Sequence, residues 1–272
     1  MSQGEVRKGF RRGIYVIPTS FTVLNLFFGF RSMVNSIRAL EMMATNRTDL
    51  ATTFFEHACW ALVIAAIFDT FDGLVARQLG ATSEFGKEYD SLADVVTFGA
   101  APAVLVYAWG LHVLGNLGAG FAFLFLVAVS LRLARFNVMT GKTDYRYFVG
   151  LPSPAGALTI AAIVNYGTAP VTDRSFAMVI LVVTAAVAFA MVSPIRWRSQ
   201  KGVTMQKERS LMYFLVFAVL IAILVSWTKE FLFVGAILYF VSGPLIRLWA
   251  IAFPAAPHPA QPAPGLEGGR PV

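Results

Sequence analysis

Four aspartates with helical spacing stand in an otherwise apolar part of the chain. Asp69 and Asp72 are three residues apart, and Asp90 and Asp94 are four residues apart. Residues three or four positions apart share one face of an α-helix, so each pair presents two carboxylates on the same side. If the two helices are antiparallel neighbours, we expect the four carboxylates to converge on one small volume.

Carboxylates this close repel one another, so protonation or bound cations must offset their charge. Carboxylate oxygens are hard ligands that suit Mg²⁺, Mn²⁺ or Ca²⁺, and the cluster contains no His or Cys, which argues against zinc. Three or four carboxylates can hold two metal ions, an arrangement that suits phosphoryl transfer. Taken singly, each aspartate fits equally well as a helix-end residue that faces water.

Small and polar residues around these aspartates fit a ligand that carries phosphate. Three small residues lie on the aspartate-bearing faces: Gly73, Ala76 and Gly86. They leave the helix backbone open to a bulky ligand, although small residues also serve helix packing. The planar, positively charged guanidinium of Arg77 can bind phosphate oxygens. Alternatively, Arg77 is a charge that sets membrane topology. The linker 78–85 adds two hydroxyls as candidate nucleotide contacts, Thr82 and Ser83.

The composition predicts a protein of the lipid bilayer. Of the 272 residues, 57% are hydrophobic and only 14% are charged, whereas soluble domains carry about 25% charged residues. We predict an all-α, polytopic membrane helix bundle of about eight spanning helices, each near 20 mostly apolar residues. The predicted spans are 18–40, 52–79, 88–111, 117–140, 151–169, 175–195, 210–227 and 230–252.

The basic residues give the predicted orientation. With the N-terminus in the cytoplasm, most of the 22 Lys and Arg residues lie in cytoplasmic loops or at cytoplasmic helix ends, as the positive-inside rule requires. The exceptions are Arg31, Arg38, Arg47, Arg174 and Lys229. Both termini and the aspartate cluster are then cytoplasmic. Because the basic residues are dispersed among apolar runs, they fit membrane lipid as a partner and not nucleic acid.

The chain divides into three predicted segments. Residues 1–17 form a basic interfacial segment, and the apolar run after it lacks a small-residue cleavage site, so we interpret that run as the first spanning helix. Residues 18–252 form the transmembrane catalytic domain. Residues 253–272 are rich in Pro, Ala and Gly, which predicts a disordered tail.

The aspartates belong to a longer spaced motif. It reads Asp69-x-x-Asp72-Gly73-x-x-Ala76-Arg77, eight residues, Gly86, three residues, Asp90, three residues and Asp94. This pattern resembles the signature of the CDP-alcohol phosphatidyltransferases. The resemblance implies a six-helix catalytic core, a homodimer and an active site open to the cytoplasmic leaflet. The turn 17–22 departs from the Pro-Asn start expected of that family, so no substrate role is carried over to it.

The resemblance also implies roles for individual residues. Asp69, Asp72 and Asp90 are expected to hold two divalent cations, Mg²⁺ or Mn²⁺. Asp94 is expected to line the metal site and to act as the general base. The CDP group is expected to lie against Asp69 and the other motif residues, with the two linker hydroxyls as further contacts: Gly73, Ala76, Arg77, Thr82, Ser83 and Gly86.

Two further stretches narrow the resemblance. Residues 133–137 (Leu-Ala-Arg-Phe-Asn) and 150–155 (Gly-Leu-Pro-Ser-Pro-Ala) are similar to features of bacterial and archaeal phosphatidylserine synthases. This similarity implies transfer of the phosphatidyl group from CDP-diacylglycerol to L-serine, giving phosphatidylserine and CMP. Five residues are candidates for binding the acceptor: Arg132, Arg135, Asn137, Ser153 and Asn25. Both arginines fit equally well as topology charges.

Other interpretations stay open on the residues alone. The same chemistry could use glycerol 3-phosphate or inositol phosphate, since a denser basic pocket is available from Arg132, Arg135, Lys142 and Arg146. A cation-coupled transporter also places acidic residues inside a membrane, usually near mid-membrane on broken helices. Here the acids are predicted near the cytoplasmic ends of unbroken helices, which favours the enzyme.

Overall fold

The computed structural model describes residues 3–79, 83–139, 147–167, 169–194, 196–198 and 229–252. Eight α-helices lie within these residues: α1 (Gln3–Ala44), α2 (Thr48–Leu79), α3 (Glu84–Asp94), α4 (Ala101–Trp109), α5 (Asn116–Met139), α6 (Ser153–Gly167), α7 (Arg174–Val192) and α8 (Lys229–Ala252). A π-helical turn, Val95–Ala100, joins α3 to α4, and a short 3₁₀ helix, Leu111–Leu114, follows α4.

Four described stretches are long and apolar enough to cross a bilayer. They are Thr48–Gly73, Glu84–Trp109, Asn116–Val138 and Arg174–Val192, and a shorter apolar helix covers Leu232–Leu245. The prediction of a polytopic helical membrane protein is therefore confirmed. The number of spans stays a prediction, because the predicted span 210–227 lies outside the described residues.

The surface and the interior of the bundle both fit a lipid solvent. Trp109, Phe98 and Phe125 are fully buried between helices. Large apolar side chains also cover the outside, where Phe123 is 64% exposed and Phe189 is 79% exposed. A water-soluble monomer rarely exposes wide apolar areas, whereas a bilayer accepts them without cost.

The helices depart from the predicted segment boundaries in two places. α1 continues through the boundary predicted after residue 17. The span predicted to begin at residue 88 begins instead at Glu84, because Ser83 caps α3: its Oγ accepts a hydrogen bond from Gly86 N at 2.9 Å, which satisfies one of the free N–H groups at the helix start. The predicted tail 253–272 lies outside the described residues, and the division into three segments stays a prediction.

α1 and α2 form the most extensive helix–helix contact among the described elements. Three residues connect them, with Asn46 in the left-handed region at φ 57°, and such short connections place two helices side by side and antiparallel. Towards the other end of the pair, Phe68 stacks on Phe28 with ring centroids 5.6 Å apart and lies 6.2 Å from Phe21. These rings hold the aspartate-bearing end of α2 against α1.

α1 also contacts the π-helical turn that follows Asp94. Thr97 is buried in this turn, and its Oγ1 donates a hydrogen bond to Asn25 O at 3.3 Å. A Cβ at Gly29 would lie 2.6 Å from Thr97 Oγ1 and 2.8 Å from Thr97 Cα, so glycine is needed for this close approach of the two backbones. π-Helical turns are frequent at functional sites, and this one lies directly after an aspartate of the predicted site.

Two short strands tie α6 to the end of α7. β1 (Tyr147–Val149) pairs antiparallel with β2 (Arg196–Arg198), and Phe148 is opposite Trp197. Next to β1, Gly150 has φ +87°, and a Cβ there would lie 2.2 Å from Met191 O. Leu151 N then donates to Ala190 O at 3.0 Å. The strand pair and this hydrogen bond fix the position at which α6 begins, and therefore the position of Ser153.

We expect Gly29→Ala to destabilise the protein, because the added methyl group would overlap the Thr97 backbone. Overpacking of this kind costs about 1–3 kcal/mol. Gly120→Ala is the matched control, since a Cβ at Gly120 would meet no atom within 4 Å in the part of the chain that the structure describes. The thermal unfolding midpoint in detergent measures both. Equal midpoints for the two variants would show that the contact between α1 and the π-helical turn is loose.

Candidate active site

Three of the four predicted aspartates meet in a tight group. Asp69 and Asp72 lie on α2, and Asp90 lies on α3. One carboxylate oxygen from each lies within 4.8 Å of the other two. Asp72 is only 7% exposed, and the other two are half-buried. Asp69, Asp72 and Asp90 are called the aspartate triad below.

Asp94 borders this triad from the end of α3. It lies one helical turn beyond Asp90, and its charge interacts with all three triad carboxylates, most strongly with that of Asp69. Asn25 on α1 donates from Nδ2 to Asp94 Oδ1 at 3.4 Å. The structure therefore brings the four aspartates together, with Asp94 beside the triad and held by α1.

α1 supplies a second contact that the sequence analysis missed. Thr22 Oγ1 donates to Asp72 Oδ2 at 2.8 Å, and both side chains are buried. Thr22 and Asn25 are three residues apart and so share one face of α1. Two polar residues on one face of an otherwise apolar helix are the sequence signal that indicates such contacts.

The residues present fit an oxygen-preferring divalent cation. Asp90 Oδ1 and Asn25 Oδ1 are both buried, and neither accepts a hydrogen bond from any described residue. A buried acceptor without a donor costs free energy unless another group satisfies it. A cation would satisfy such oxygens and would offset the repulsion among the carboxylates. The aspartate triad can therefore bind a metal ion.

The predicted nucleotide contacts have different surroundings. A Cβ at Gly73 would meet none of the described residues within 4 Å, so among these residues space is open beside Asp72. A Cβ at Gly86 would lie 3.0 Å from Ser83 Oγ, so both residues serve the start of α3. The side chains of Ala76 and Arg77, and all of Thr82, lie outside the described part of the structure. Their contact with a nucleotide stays a prediction.

Two of the predicted acceptor residues meet inside the bundle. Arg132 on α5 donates from Nη1 to the hydroxyl of Ser153 at the start of α6. Arg132 is only 9% exposed and Ser153 is fully buried. The Arg132 guanidinium also lies within electrostatic range of Asp94. The attraction between these opposite charges lowers the free-energy cost of burying the guanidinium.

The other predicted acceptor residues lie elsewhere. Arg135 donates from Nη1 to Val192 O at 3.1 Å, so it binds the last carbonyl group of α7. Asn137 donates from Nδ2 to Ser91 Oγ at 3.0 Å, which joins α5 to α3. Asn25 contacts Asp94, as described above. These three hold helices or the general base candidate in place, and their contact with an acceptor stays a prediction.

Known proteins match this chain over much of its length. A CDP-diacylglycerol–serine O-phosphatidyltransferase of Helicobacter pylori is 37% identical over 147 residues, which is 54% of this chain and 56% of that protein. The archaetidylserine synthase of Methanothermobacter thermautotrophicus is 32% identical over 188 residues, or 68% of this chain and 71% of that protein. The chain thus spans about half the length of the Helicobacter protein it matches.

The family comparison covers the aspartates and the Arg132–Ser153 pair together. Residues 15–192 match the family model described as CDP-alcohol phosphatidyltransferase. The matched stretch runs from α1 to the end of α7 and so includes every helix that contributes an aspartate or a partner of one. Because the match covers more than half of the chain, the protein belongs to the CDP-alcohol phosphatidyltransferase family, as the motif in residues 69–94 predicts.

Proposed function

We propose that the protein transfers the phosphatidyl group of CDP-diacylglycerol to the hydroxyl of L-serine, giving phosphatidylserine and CMP. The observation that carries the proposal is the convergence of the aspartate triad and Asp94 next to the buried pair of Arg132 and Ser153. Family membership supports the chemistry. The names of relatives such as the Helicobacter protein support serine as the acceptor.

The aspartate triad would hold two divalent cations, Mg²⁺ or Mn²⁺, with Asp94 lining the same site. When bound, these ions supply positive charge that neutralises the pyrophosphate oxygens and makes the phosphorus more electrophilic. Thr22 fixes the orientation of the Asp72 carboxylate by donating to its Oδ2. The open space beside Gly73 leaves room for the CDP group next to the triad. Arg77 and the hydroxyls of Thr82 and Ser83 are proposed as further CDP contacts.

Asp94 is the proposed general base. Its carboxylate accepts the proton of the serine hydroxyl as the serine oxygen forms a bond to the phosphorus, and the bond from phosphorus to the CMP oxygen breaks. Asn25 orients Asp94 through its hydrogen bond to Oδ1. Aspartate is a weak base near neutral pH, so alignment of the two reacting groups must supply much of the rate.

Arg132 is the proposed anchor for the serine carboxylate. It is buried and lies within electrostatic range of Asp94, so a serine whose carboxylate binds it can present its hydroxyl to the base. A phosphorylated acceptor would require several cations. Among the described residues, Arg135 is already bound to the Val192 carbonyl, which favours the smaller acceptor.

The membrane orientation belongs to the proposal as well. The distribution of Lys and Arg supports an active site at the cytoplasmic leaflet, with both termini on that side. The lipid substrate would then reach the site with its acyl chains still in the bilayer. The homodimer is proposed from the family resemblance alone.

We expect Asp94→Asn to lower kcat by about 10²–10⁴-fold, because the amide cannot accept the serine proton. The assay measures CMP release from CDP-diacylglycerol with serine, glycerol 3-phosphate, inositol phosphate or no acceptor, in detergent with Mg²⁺ or Mn²⁺. Asp173→Asn is the control, since Asp173 caps α7 at an exposed position. Near-normal turnover by Asp94→Asn would show that Asp94 is not the general base. If the unmodified protein releases CMP only with another alcohol, serine is not the acceptor.

Removal of divalent metal with a chelator should abolish activity, and Mg²⁺ or Mn²⁺ should restore it.

Asp72→Asn should weaken Mn²⁺ binding by at least about 10-fold, because it removes one anionic ligand. Equilibrium dialysis or the electron paramagnetic resonance signal of free Mn²⁺ measures this without turnover. Asp49→Asn, at the exposed start of α2, should bind as the unmodified protein does. If the unmodified protein, Asp72→Asn and Asp49→Asn bind Mn²⁺ with equal affinity, the metal ion does not bind at the aspartate triad.

Thr22→Val should reduce Mn²⁺ affinity or activity by about 10–100-fold, as loss of a partner that orients a metal ligand generally does. The isosteric change removes the hydroxyl group that donates to Asp72. Thr53→Val, at an exposed position on α2, provides the comparison. If both valine variants behave alike in the two assays, Thr22 contributes packing and no orientation.

A further inference from the structure

α3 carries two of the four aspartates but packs against few other elements. Among the described elements, its main neighbours are α1 and the π-helical turn that continues it. Asp90 lies in the aspartate triad with two carboxylates of α2, and Asp94 interacts with the same charges. Without bound cations, the repulsion among these carboxylates favours positions of α3 that are farther from α2. Any contact that opposes this displacement keeps the site ready for a metal ion.

One such contact comes from the end of α5. Asn137 Nδ2 donates to Ser91 Oγ at 3.0 Å, and Ser91 Oγ in turn donates to Lys87 O at 3.0 Å. The hydroxyl proton is therefore directed to α3 itself, and a lone pair of the same oxygen faces Asn137. Ser91 follows Asp90 directly and precedes Asp94 by three residues. The hydrogen bond thus acts on the turn of α3 that carries both aspartates.

The end of α5 is itself bound to two other helices. Arg135 donates from Nη1 to Val192 O at the end of α7, at 3.1 Å. Arg132 donates to the hydroxyl of Ser153 at the start of α6. Because these contacts hold the last turns of α5 in place, Asn137 extends from a fixed position when it binds α3.

The direction of Asn137 separates it from the proposed acceptor site. Asn137 comes five residues after Arg132, which corresponds to a rotation of roughly 140° about the axis of α5. Arg132 is only 9% exposed, whereas Asn137 is exposed. The two side chains therefore leave α5 on different sides. Arg132 is the one that contacts Ser153, and Asn137 is the one that contacts α3.

We propose that Asn137 is a positioning residue for the metal site: through Ser91 it holds Asp90 and Asp94 close to the aspartates of α2 before a cation binds. This inference rests on the metal dependence of the proposed function. Without the hydrogen bond, part of the metal-free protein would have α3 displaced, and a cation would have to reverse that displacement on binding. The apparent affinity for the cation falls in proportion to the fraction of protein that is competent to bind.

The test is a double-mutant cycle in the full-length protein in detergent, with Mn²⁺ affinity measured from the electron paramagnetic resonance signal of free Mn²⁺. Asn137→Ala and Ser91→Ala should each weaken Mn²⁺ binding by about 3–10-fold, as expected for loss of one net hydrogen bond. The double variant should bind no more weakly than either single variant, because both changes remove the same interaction. Ser91→Thr should bind as the unmodified protein does, since its hydroxyl can make both hydrogen bonds.

Ser130→Ala is the matched control. Ser130 Oγ donates to Leu126 O at 2.9 Å, so this variant also removes a hydroxyl that binds a carbonyl one turn earlier, but within α5. Its Mn²⁺ affinity should not change. At saturating Mn²⁺ with CDP-diacylglycerol, the KM of Asn137→Ala for serine should stay within about twofold of the unmodified value, because no acceptor contact is removed.

Three results would overturn the inference. The first is unchanged Mn²⁺ affinity in Asn137→Ala, whether or not the thermal unfolding midpoint falls, since a purely structural role predicts a lower midpoint alone. The second is additive losses in the double variant, which would show that Asn137 and Ser91 act separately. The third is a raised serine KM in Asn137→Ala but not in Ser91→Ala, which would assign Asn137 to the acceptor site.

The same measurements separate this inference from the proposed function. If Asp72→Asn binds Mn²⁺ as tightly as the unmodified protein does, the aspartate triad is not the metal site, and the inference fails together with that part of the proposed function. If Asp72→Asn loses affinity while Asn137→Ala does not, the proposed function stands and only the role of Asn137 is lost.

Discussion

Mutual repulsion among carboxylates is the constraint on which this structure depends. Three aspartates place oxygens within 4.8 Å of one another, and a fourth adds its charge from one helical turn away. Such a group inside an apolar bundle is unfavourable unless cations or positive side chains offset it. The α3 helix and its π-helical continuation must therefore be held against α2 by contacts elsewhere. α1 provides those contacts.

α1 acts on the site at three successive levels along its length. Thr22 holds Asp72, Asn25 holds Asp94, and Gly29 allows the backbone of the π-helical turn to approach closely. The three residues recur at spacings of three and four, so they lie on one face of α1. A helix that carries none of the aspartates thus fixes the relative positions of α2 and α3. Metal ligands commonly depend on such outer partners for their orientation.

Local periodicity made the aspartates predictable from the sequence, because residues three or four apart on a helix share a face whatever the tertiary structure. The role of Thr22 was not predictable, since it depends on which helices pack together. Ser83 has a role that its residue type alone did not reveal: its hydroxyl caps α3, and its contact with a nucleotide stays a prediction. The three-residue strands were missed because they pair segments nearly 50 residues apart and are too short to show alternation.

The position of Arg132 links the two halves of the proposed reaction. Its guanidinium binds Ser153 at the start of α6 and lies within electrostatic range of Asp94. An acceptor carboxylate would bring one more negative charge close to four others, so Arg132 alone is too little to balance the site. Positive charge at the aspartate triad is therefore needed for acceptor binding as well as for activation of the phosphorus. For this reason we expect serine affinity and metal occupancy to be coupled, because each ligand changes the electrostatic cost of binding the other.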